Sequence, residues 1–202
     1  MKNLLIFFVF FSNILLTNIS NGVLEKYKKN NVFVSTAFNN GLHVVKAMNA
    51  NFTDVYCVEL DKVMFDHSDK LLSAYFKKNG LSESVRNYSL YLGEPKKILP
   101  NFIYSIDQTI TFLLCSHLPE IDYPEKENNV LNELEIIKNH SIKQHTIIVD
   151  YIHWVGTKSF GNITLQSITN KILEINPNYK FYFERGGHLE QEENAVLVAY
   201  IP

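Results

Sequence analysis

The stretch NVFVSTAFNNGLHVVKAMNANFTDVYCVE, residues 31–59, predicts a strand, a helix and a second strand in succession. Residues 31–38 (NVFVSTAF) and 54–59 (DVYCVE) are short runs rich in β-branched and aromatic residues, which are typical of strands. Between them, Leu42, Val45 and Met48 recur three residues apart, as on one face of a helix. A unit of this kind predicts two parallel strands joined by a crossover helix.

The same alternation continues to the end of the chain. Further strands are predicted at residues 88–92, 109–116, 145–152, 179–185 and 195–201, and further helices at 62–78, 130–140 and 163–175. The runs TITFLLCS and HTIIVDYI are largely apolar, as expected of central strands covered on both faces. The last two strands could form an antiparallel hairpin. The sequence therefore predicts an α/β, Rossmann-like domain with a mostly parallel central sheet, helices on both faces and a C-terminal antiparallel hairpin.

The first 22 residues have the features of a leader. Lys2 precedes an apolar run, residues 4–16, which as a helix is too short for a hydrocarbon core of about 30 Å. Ser20 and Gly22 suit cleavage before Val23, so a secretory signal peptide is predicted. An uncleaved N-terminal membrane anchor and a buried first helix are the alternatives. We expect one domain over residues 23–202, in a protein that is secreted or, if the leader is kept, membrane-anchored.

Composition excludes some functions and leaves the partner open. The formal net charge is -2, so the basic surface that nucleic-acid binding requires is not expected. Cys57 and Cys115 lie in predicted strands and suit buried free thiols, and neither zinc-ligand spacing nor a P-loop occurs. Five glycosylation sequons, an excess over chance in this composition, support a secretory route: Asn18, Asn51, Asn87, Asn139 and Asn162. The partner is a small molecule or a protein.

Polar residues that follow the predicted strands are the candidate site residues, because ligands of open α/β sheets bind beyond the carboxyl ends of strands. Glu59 ends the second strand, where a carboxylate can accept both ribose hydroxyls of an adenosine cofactor; a solvated strand-end carboxylate is the alternative. Residues 39–41 (NNG) open a helix whose N-H groups suit an anion, although only one glycine is present. His117, Asp150 and His153 could converge on a metal or share acid–base work, or be unrelated loop residues.

Several of these stretches, in this order, resemble a family of small class I S-adenosylmethionine (SAM)-dependent methyltransferase-like proteins. Residues 56–60 (YCVEL) match the family's Tyr-Ser-Ile-Glu-Leu strand, and residues 112–117 (FLLCSH) its Phe-Trp-Leu-Asp-Ala-His strand. Residues 130–134 (VLNEL) resemble its Pro-Leu-Leu-x-Glu-Leu helix, and residues 147–151 (IIVDY) its Ile-Leu-Ile-Asp-Asp strand. The resemblance runs over residues 32–201, nearly the whole predicted domain.

The resemblance implies a role for each candidate residue. Thr36 and Gly41 match the family's turn after the first strand, and with Glu59 at the ribose and Glu94 near the adenine they would bind SAM. His117 and Asp150 would face the substrate as catalytic residues. The chain also departs from the family. The acid of the first strand and the following turn glycine are replaced, as are the fourth-strand Asp and the second Asp after the fifth strand: Ser35, Ala37, Cys115 and Tyr151.

Two functions follow from these matches and departures. The first is an active SAM-dependent methyltransferase, since methyl transfer depends mainly on alignment and one general base can suffice. The second is a degenerate methyltransferase-like protein without activity that serves as a secreted or membrane-anchored interaction protein. The lost acids, the changed turn and the leader favour the second function.

Overall fold

The computed structural model describes residues 19–79, 87–115, 130–185 and 195–202. In these residues seven strands form one sheet. The strands are β1 (Val32–Ser35), β2 (Asp54–Glu59), β3 (Tyr88–Leu92), β4 (Ile110–Leu114), β5 (Thr146–Val149), β6 (Lys180–Glu184) and β7 (Val196–Tyr200). The helices are α1 (Asn21–Tyr27), α2 (Leu42–Asn49), α3 (Lys62–Lys78), α4 (Pro95–Ile98), α5 (Pro100–Ile103), α6 (Val130–Asn139) and α7 (Leu165–Ile175), with 3-10 turns at Ile152–Trp154 and Lys158–Phe160.

The strand order across the sheet is β3-β2-β1-β4-β5-β7-β6. Strands β1 to β5 pair in parallel, whereas β7 runs antiparallel to both of its neighbours, β5 and β6. The chain moves outward from β1 through β2 to β3, crosses back, and continues from β4 on the other side of β1. The predicted α/β, Rossmann-like fold, with its mostly parallel sheet and C-terminal antiparallel hairpin, is confirmed.

Two cores, one on each face of the sheet, account for the apolar runs of the central strands. Along β1, Val34 packs into one core and Phe33 into the other. Helices α6 and α7 cover the first face through residues such as Leu134, and α1, α2 and α3 cover the second through residues such as Leu72. Every residue of β1, β4 and β5 is buried, because helices lie over both of their faces.

Side-chain caps fix where the longer helices begin. Asp61 accepts hydrogen bonds from the main-chain N-H groups of Val63 (2.7 Å) and Met64 (3.0 Å) at the start of α3. Thr164 and Ser167 form a reciprocal capping box at the start of α7. Such caps satisfy N-H groups that have no partner inside the helix. They explain why α3 occupies the predicted residues 62–78, and why α7 begins two residues after its predicted start.

Strand β1 is shorter than predicted, and helices α1, α4 and α5 were not predicted. β1 ends at Ser35 rather than at residue 38, because the chain then turns through three residues of positive φ: Asn39 (47°), Asn40 (54°) and Gly41 (82°). Helices α4 and α5 contain four residues each, too few to show a helical repeat. Each begins with a proline, which suits the first position of a helix.

Helix α1 includes residues on both sides of the predicted cleavage position. Ser20 caps the helix by accepting a hydrogen bond from the N-H of Val23 (3.2 Å), and Leu24 is fully buried in the core. The Lys46 ammonium donates to the Ile19 carbonyl. The leader before residue 19 lies outside the described residues, and cleavage before Val23 stays a prediction. Of the helices that the structure describes, none combines the length and the apolar character needed to cross a membrane.

Candidate functional site

The candidate site lies at the carboxyl ends of β1 and β4. These neighbouring strands lead to crossovers on opposite sides, and ligands of open α/β sheets bind where the strand order switches in this way. The loop after β1, the end of β2 and the start of the segment after β3 surround this position. The predicted cofactor residues belong to these three segments.

Glu59, the last residue of β2, is only 5% exposed. One carboxylate oxygen, Oε2, accepts a hydrogen bond from the N-H of Phe38 (3.2 Å), and the other, Oε1, accepts one from the N-H of Asp61 (3.0 Å). The carboxylate thus joins the loop after β1 to the loop after β2. Each of its oxygens therefore already accepts one hydrogen bond from the main chain.

Thr36 extends the pairing of β1 and β4 beyond the ends of both strands. Its N-H donates to the Leu113 carbonyl (3.1 Å), and its Oγ1 accepts from the N-H of Cys115 (3.0 Å). The same hydroxyl donates to Oε2 of Glu133 on α6 (3.3 Å). A fully buried threonine therefore joins the two strands at the point where the crevice between them would open.

Gly41 is required by the backbone and by its packing against α3. Its φ of 82° lies in the left-handed region, which residues other than glycine rarely adopt. A Cβ atom at this position would lie 2.8 Å from Cγ of Leu72. The presence of a glycine at the start of α2 is thus explained without a ligand.

Glu94 makes its ion pairs with two lysines of α4. Its carboxylate lies 2.7 Å from the Lys97 ammonium and 3.5 Å from that of Lys96. The hydrogen bond from Lys97 holds the pKa of Glu94 below its usual range. The connection to Glu59 runs through the main chain, where the N-H of Gly93 donates to the Glu59 carbonyl (2.8 Å).

Asp150, predicted to lie on the substrate side, is fully buried directly after β5. His153, a candidate for a metal or acid–base cluster, is exposed on the following 3-10 turn. Oδ1 of Asp150 accepts from the N-H of Tyr151 (2.7 Å), whose φ of 59° is left-handed. Burial lowers the pKa of the nearby Lys46 to about 8, although the Asp150 carboxylate opposes that shift. His117 lies outside the described residues. No three His, Cys, Asp or Glu side chains in the described part of the chain are placed to hold a metal ion.

A buried Ser35–His43 pair holds the loop after β1. Oγ of Ser35 lies 2.9 Å from Nδ1 of His43 and donates to the Ala37 carbonyl (2.8 Å). Nδ1 of His43 lies 2.8 Å from the same carbonyl, so this nitrogen carries the proton. Burial lowers the pKa of His43 to about 4, and the ring is neutral at pH 7. His43 was not predicted as a site residue, because it lies among apolar residues of a helix.

Glu133 is a second residue that the sequence did not single out. It occupies the first turn of α6 and is buried against Thr36. Burial raises its pKa to about 8, and the Thr36 hydrogen bond only partly offsets this shift. In the sequence, Glu133 is marked only by its match to the glutamate of the family's helix motif, and the resemblance assigns no role to that glutamate. Cys57 and Cys115 are buried free thiols, as predicted, and burial raises the pKa of both.

Solved structures share this architecture. SMU.1697c of Streptococcus mutans, a proposed methyltransferase in complex with SAH, is similar with a TM-score of 0.59 and 12% identity, over 89% of this chain and 94% of that one. A SAM-dependent methyltransferase from Aquifex aeolicus is similar with a TM-score of 0.55 and 13% identity, over 95% of this chain and 93% of that one. An rRNA methylase from Streptococcus thermophilus is similar with a TM-score of 0.54 and 12% identity, over 90% of this chain and 93% of that one.

The chain has a methyltransferase fold. No protein-family model matches it, and no curated protein matches it in sequence. Within the methyltransferase fold, the four predicted cofactor residues do lie after β1, at the end of β2 and after β3. Thr36, Glu59 and Glu94 are each bonded to other groups of the protein, and Gly41 is packed against Leu72.

Proposed function

We propose that this protein has kept the methyltransferase fold without SAM-dependent catalysis and acts as an interaction protein. The main support for this proposal is the burial and the hydrogen bonding of Glu59. It is buried, and each of its carboxylate oxygens already accepts a main-chain N-H. A ribose would have to reach a nearly buried carboxylate that two hydrogen bonds already hold between neighbouring loops.

The loop after β1 also fits an adenosine cofactor poorly. A cofactor carboxylate or phosphate is usually bound by free N-H groups at the start of the first helix. Here the N-H groups of Gly41 (3.1 Å) and His43 (3.4 Å) donate to the Phe38 carbonyl, and that of Leu42 donates to Asn39 (3.0 Å). The amides that would receive an anion are therefore used within the loop itself.

Isothermal titration calorimetry of the full chain with SAM, in mild detergent, tests this proposal. We expect no binding heat up to about 1 mM SAM, the upper end of ordinary enzyme affinities. The variant Glu59→Ala is the control, with circular dichroism to verify that both proteins are folded. Micromolar binding that disappears in Glu59→Ala would overturn the proposal.

An active SAM-dependent methyltransferase is the second candidate, and Glu133 favours it. A buried carboxyl with a pKa of about 8 at a strand switch point is suited to act as a general base. Methyl transfer from labelled SAM to a cell extract, measured from pH 6 to 9, tests this function. Activity that rises near pH 8 and is lost in the near-isosteric Glu133→Gln would establish it. Activity that is unchanged in Glu133→Gln would exclude Glu133 as the base.

For localisation, we propose a secretory-pathway protein that keeps residues 19–22. Cleavage before Val23 would remove the Ser20 cap of α1 and the Ile19 carbonyl that accepts from Lys46. Retention of the whole leader as an anchor, or cleavage before Ile19, preserves both contacts. Mass spectrometry of the protein from its native membrane and medium fractions tests this proposal. An N-terminus at or before Ile19 is expected, and one at Val23 would contradict it.

A further inference from the structure

Strand β6 lies at one edge of the sheet, where β7 is the one strand that pairs with it among the described residues. Its sequence is KFYFE, residues 180–184. Tyr182 is 37% exposed and Phe183 is 45% exposed, large values for aromatic residues of a strand. An exposed strand edge can pair with a strand of another chain, and proteins commonly block such edges with charged residues.

The charges of β6 do not block pairing with a second copy of the same strand. When two copies run antiparallel about a twofold axis at Tyr182, Lys180 of each lies opposite Glu184 of the other. Phe181 likewise lies opposite Phe183 of the second copy. Each of the two ionic positions therefore joins opposite charges, and each aromatic position joins two rings. Both kinds of cross-strand pair stabilise a sheet.

We propose that this protein forms a twofold-symmetric dimer through antiparallel pairing of β6 with β6 of a second copy. The pairing joins two seven-stranded sheets into one continuous sheet of both chains. Most homodimers have twofold symmetry, in which both subunits contribute the same surface to the interface. The proposal does not depend on the loss of catalysis, since β6 is far along the sheet from β1 and β2.

Contacts with α1 hold β6 in an ordered conformation for this pairing. Oε1 of Glu184 accepts hydrogen bonds from Lys26 (2.7 Å) and from the Tyr27 hydroxyl (2.5 Å). The Tyr27 ring lies 5.6 Å from that of Tyr182. Because both bonds fall on Oε1, the other oxygen of Glu184 is the acceptor for Lys180 of the second copy.

Sedimentation velocity of the full chain in density-matched detergent tests the proposal through charge reversal. Wild type should be dimeric. Lys180→Glu alone puts carboxylates on both sides of each ionic position, and Glu184→Lys alone puts ammonium groups there. Each change should weaken the dimer at least roughly tenfold, because like charges in contact are strongly unfavourable. Lys70→Glu, on the exposed part of α3, makes the same charge change as the first variant and should leave the dimer intact.

The decisive sample is an equal mixture of the two single variants. In a mixed dimer every ionic position again joins opposite charges, so dimers should reappear in the mixture although each variant alone is monomeric. Circular dichroism establishes that both variants are folded. A monomeric wild type, dimers that persist in both single variants, or a mixture that stays monomeric would each overturn the proposal.

Discussion

The carboxyl ends of the central strands and the β6 edge differ in the exposure of their side chains. At the central strands, Thr36 and Glu59 are buried and bonded to other parts of the same domain. At the β6 edge, Lys180, Tyr182 and Phe183 are exposed. Ligands of open α/β sheets bind beyond the carboxyl ends of strands, which is the first of these two regions. Here Thr36 and Glu59 make internal hydrogen bonds in the region where a ligand is expected, whereas β6 exposes large side chains among the described residues.

The largest expected effect is a loss of stability in acid, because two buried histidines are neutral in the folded chain. Burial lowers the pKa of His43 to about 4 and that of His145 to about 3. An unfolded chain binds these protons near pH 6.5, so protonation favours unfolding below that pH. We expect the free energy of unfolding to fall by roughly 3–6 kcal/mol between pH 6.5 and pH 4.

The buried Glu133 should make stability depend on pH in the opposite direction. Its pKa is raised to about 8, so the folded chain keeps a proton that the unfolded chain releases near pH 4.5. Its contribution is therefore complete below pH 4.5 and is lost as the pH rises to 8. Urea denaturation should show maximum stability near pH 6.5. Glu133→Gln should abolish the decline above that pH, and a flat profile in wild type would contradict this account.

A smaller loss is expected from Gly41→Ala, by about 3 kcal/mol of unfolding free energy, because the change combines a left-handed backbone with a clash against Leu72. Gly156→Ala is the matched control. Its φ of 85° is similar, but no described atom lies within 4 Å of the added Cβ, so a loss of about 1 kcal/mol is expected. Thermal denaturation gives both values. Equal losses in the two variants would show that packing of Gly41 against α3 is unimportant.

Thr36→Val should cost about 2 kcal/mol, because the change keeps the shape of the side chain and leaves the Cys115 N-H without its partner. Thr53→Val, at an exposed threonine, is the control and should cost less than about 0.5 kcal/mol. Chemical denaturation measures both. If Thr36→Val matches the control, the join between β1 and β4 does not contribute to stability.

The smallest effect is expected at Glu94. Its partners Lys96 and Lys97 are surface residues, and surface ion pairs contribute little to stability. Glu94→Ala should leave the midpoint of thermal unfolding unchanged and should not alter SAM titrations. A clear loss of SAM binding in this variant would mean that Glu94 faces a cofactor, as the family resemblance implies.

The sequence was sufficient to predict most of the fold, because the elements bury regular apolar patterns. β2, α3 and β3 occupy the predicted residues, and the central strands were identified from continuous apolar runs. Helices α4 and α5 are too short to show a pattern. Helix α1 was also not predicted; it has seven residues and includes the last two residues of the predicted leader.

The candidate site was predictable in position and not in chemistry. Strand ends located Glu59 and Asp150, because all parallel strands present the same edge. The hydrogen bond from Phe38 to Glu59 depends on the path of a loop with three left-handed residues, which no local pattern reveals. Glu133 is polar at a buried position of a helix, and only the packing of α6 against Thr36 shows where it points.

Amide hydrogen exchange by NMR, at the Phe38 and Cys115 N-H groups with and without SAM, is the most direct test of the closed site. Their acceptors are the side chains of Glu59 and Thr36. We expect slow exchange at both amides, comparable to that of the central strands, and no change at about 1 mM SAM. Rapid exchange at both amides, or a change at Phe38 when SAM is added, would show that the site opens to a cofactor.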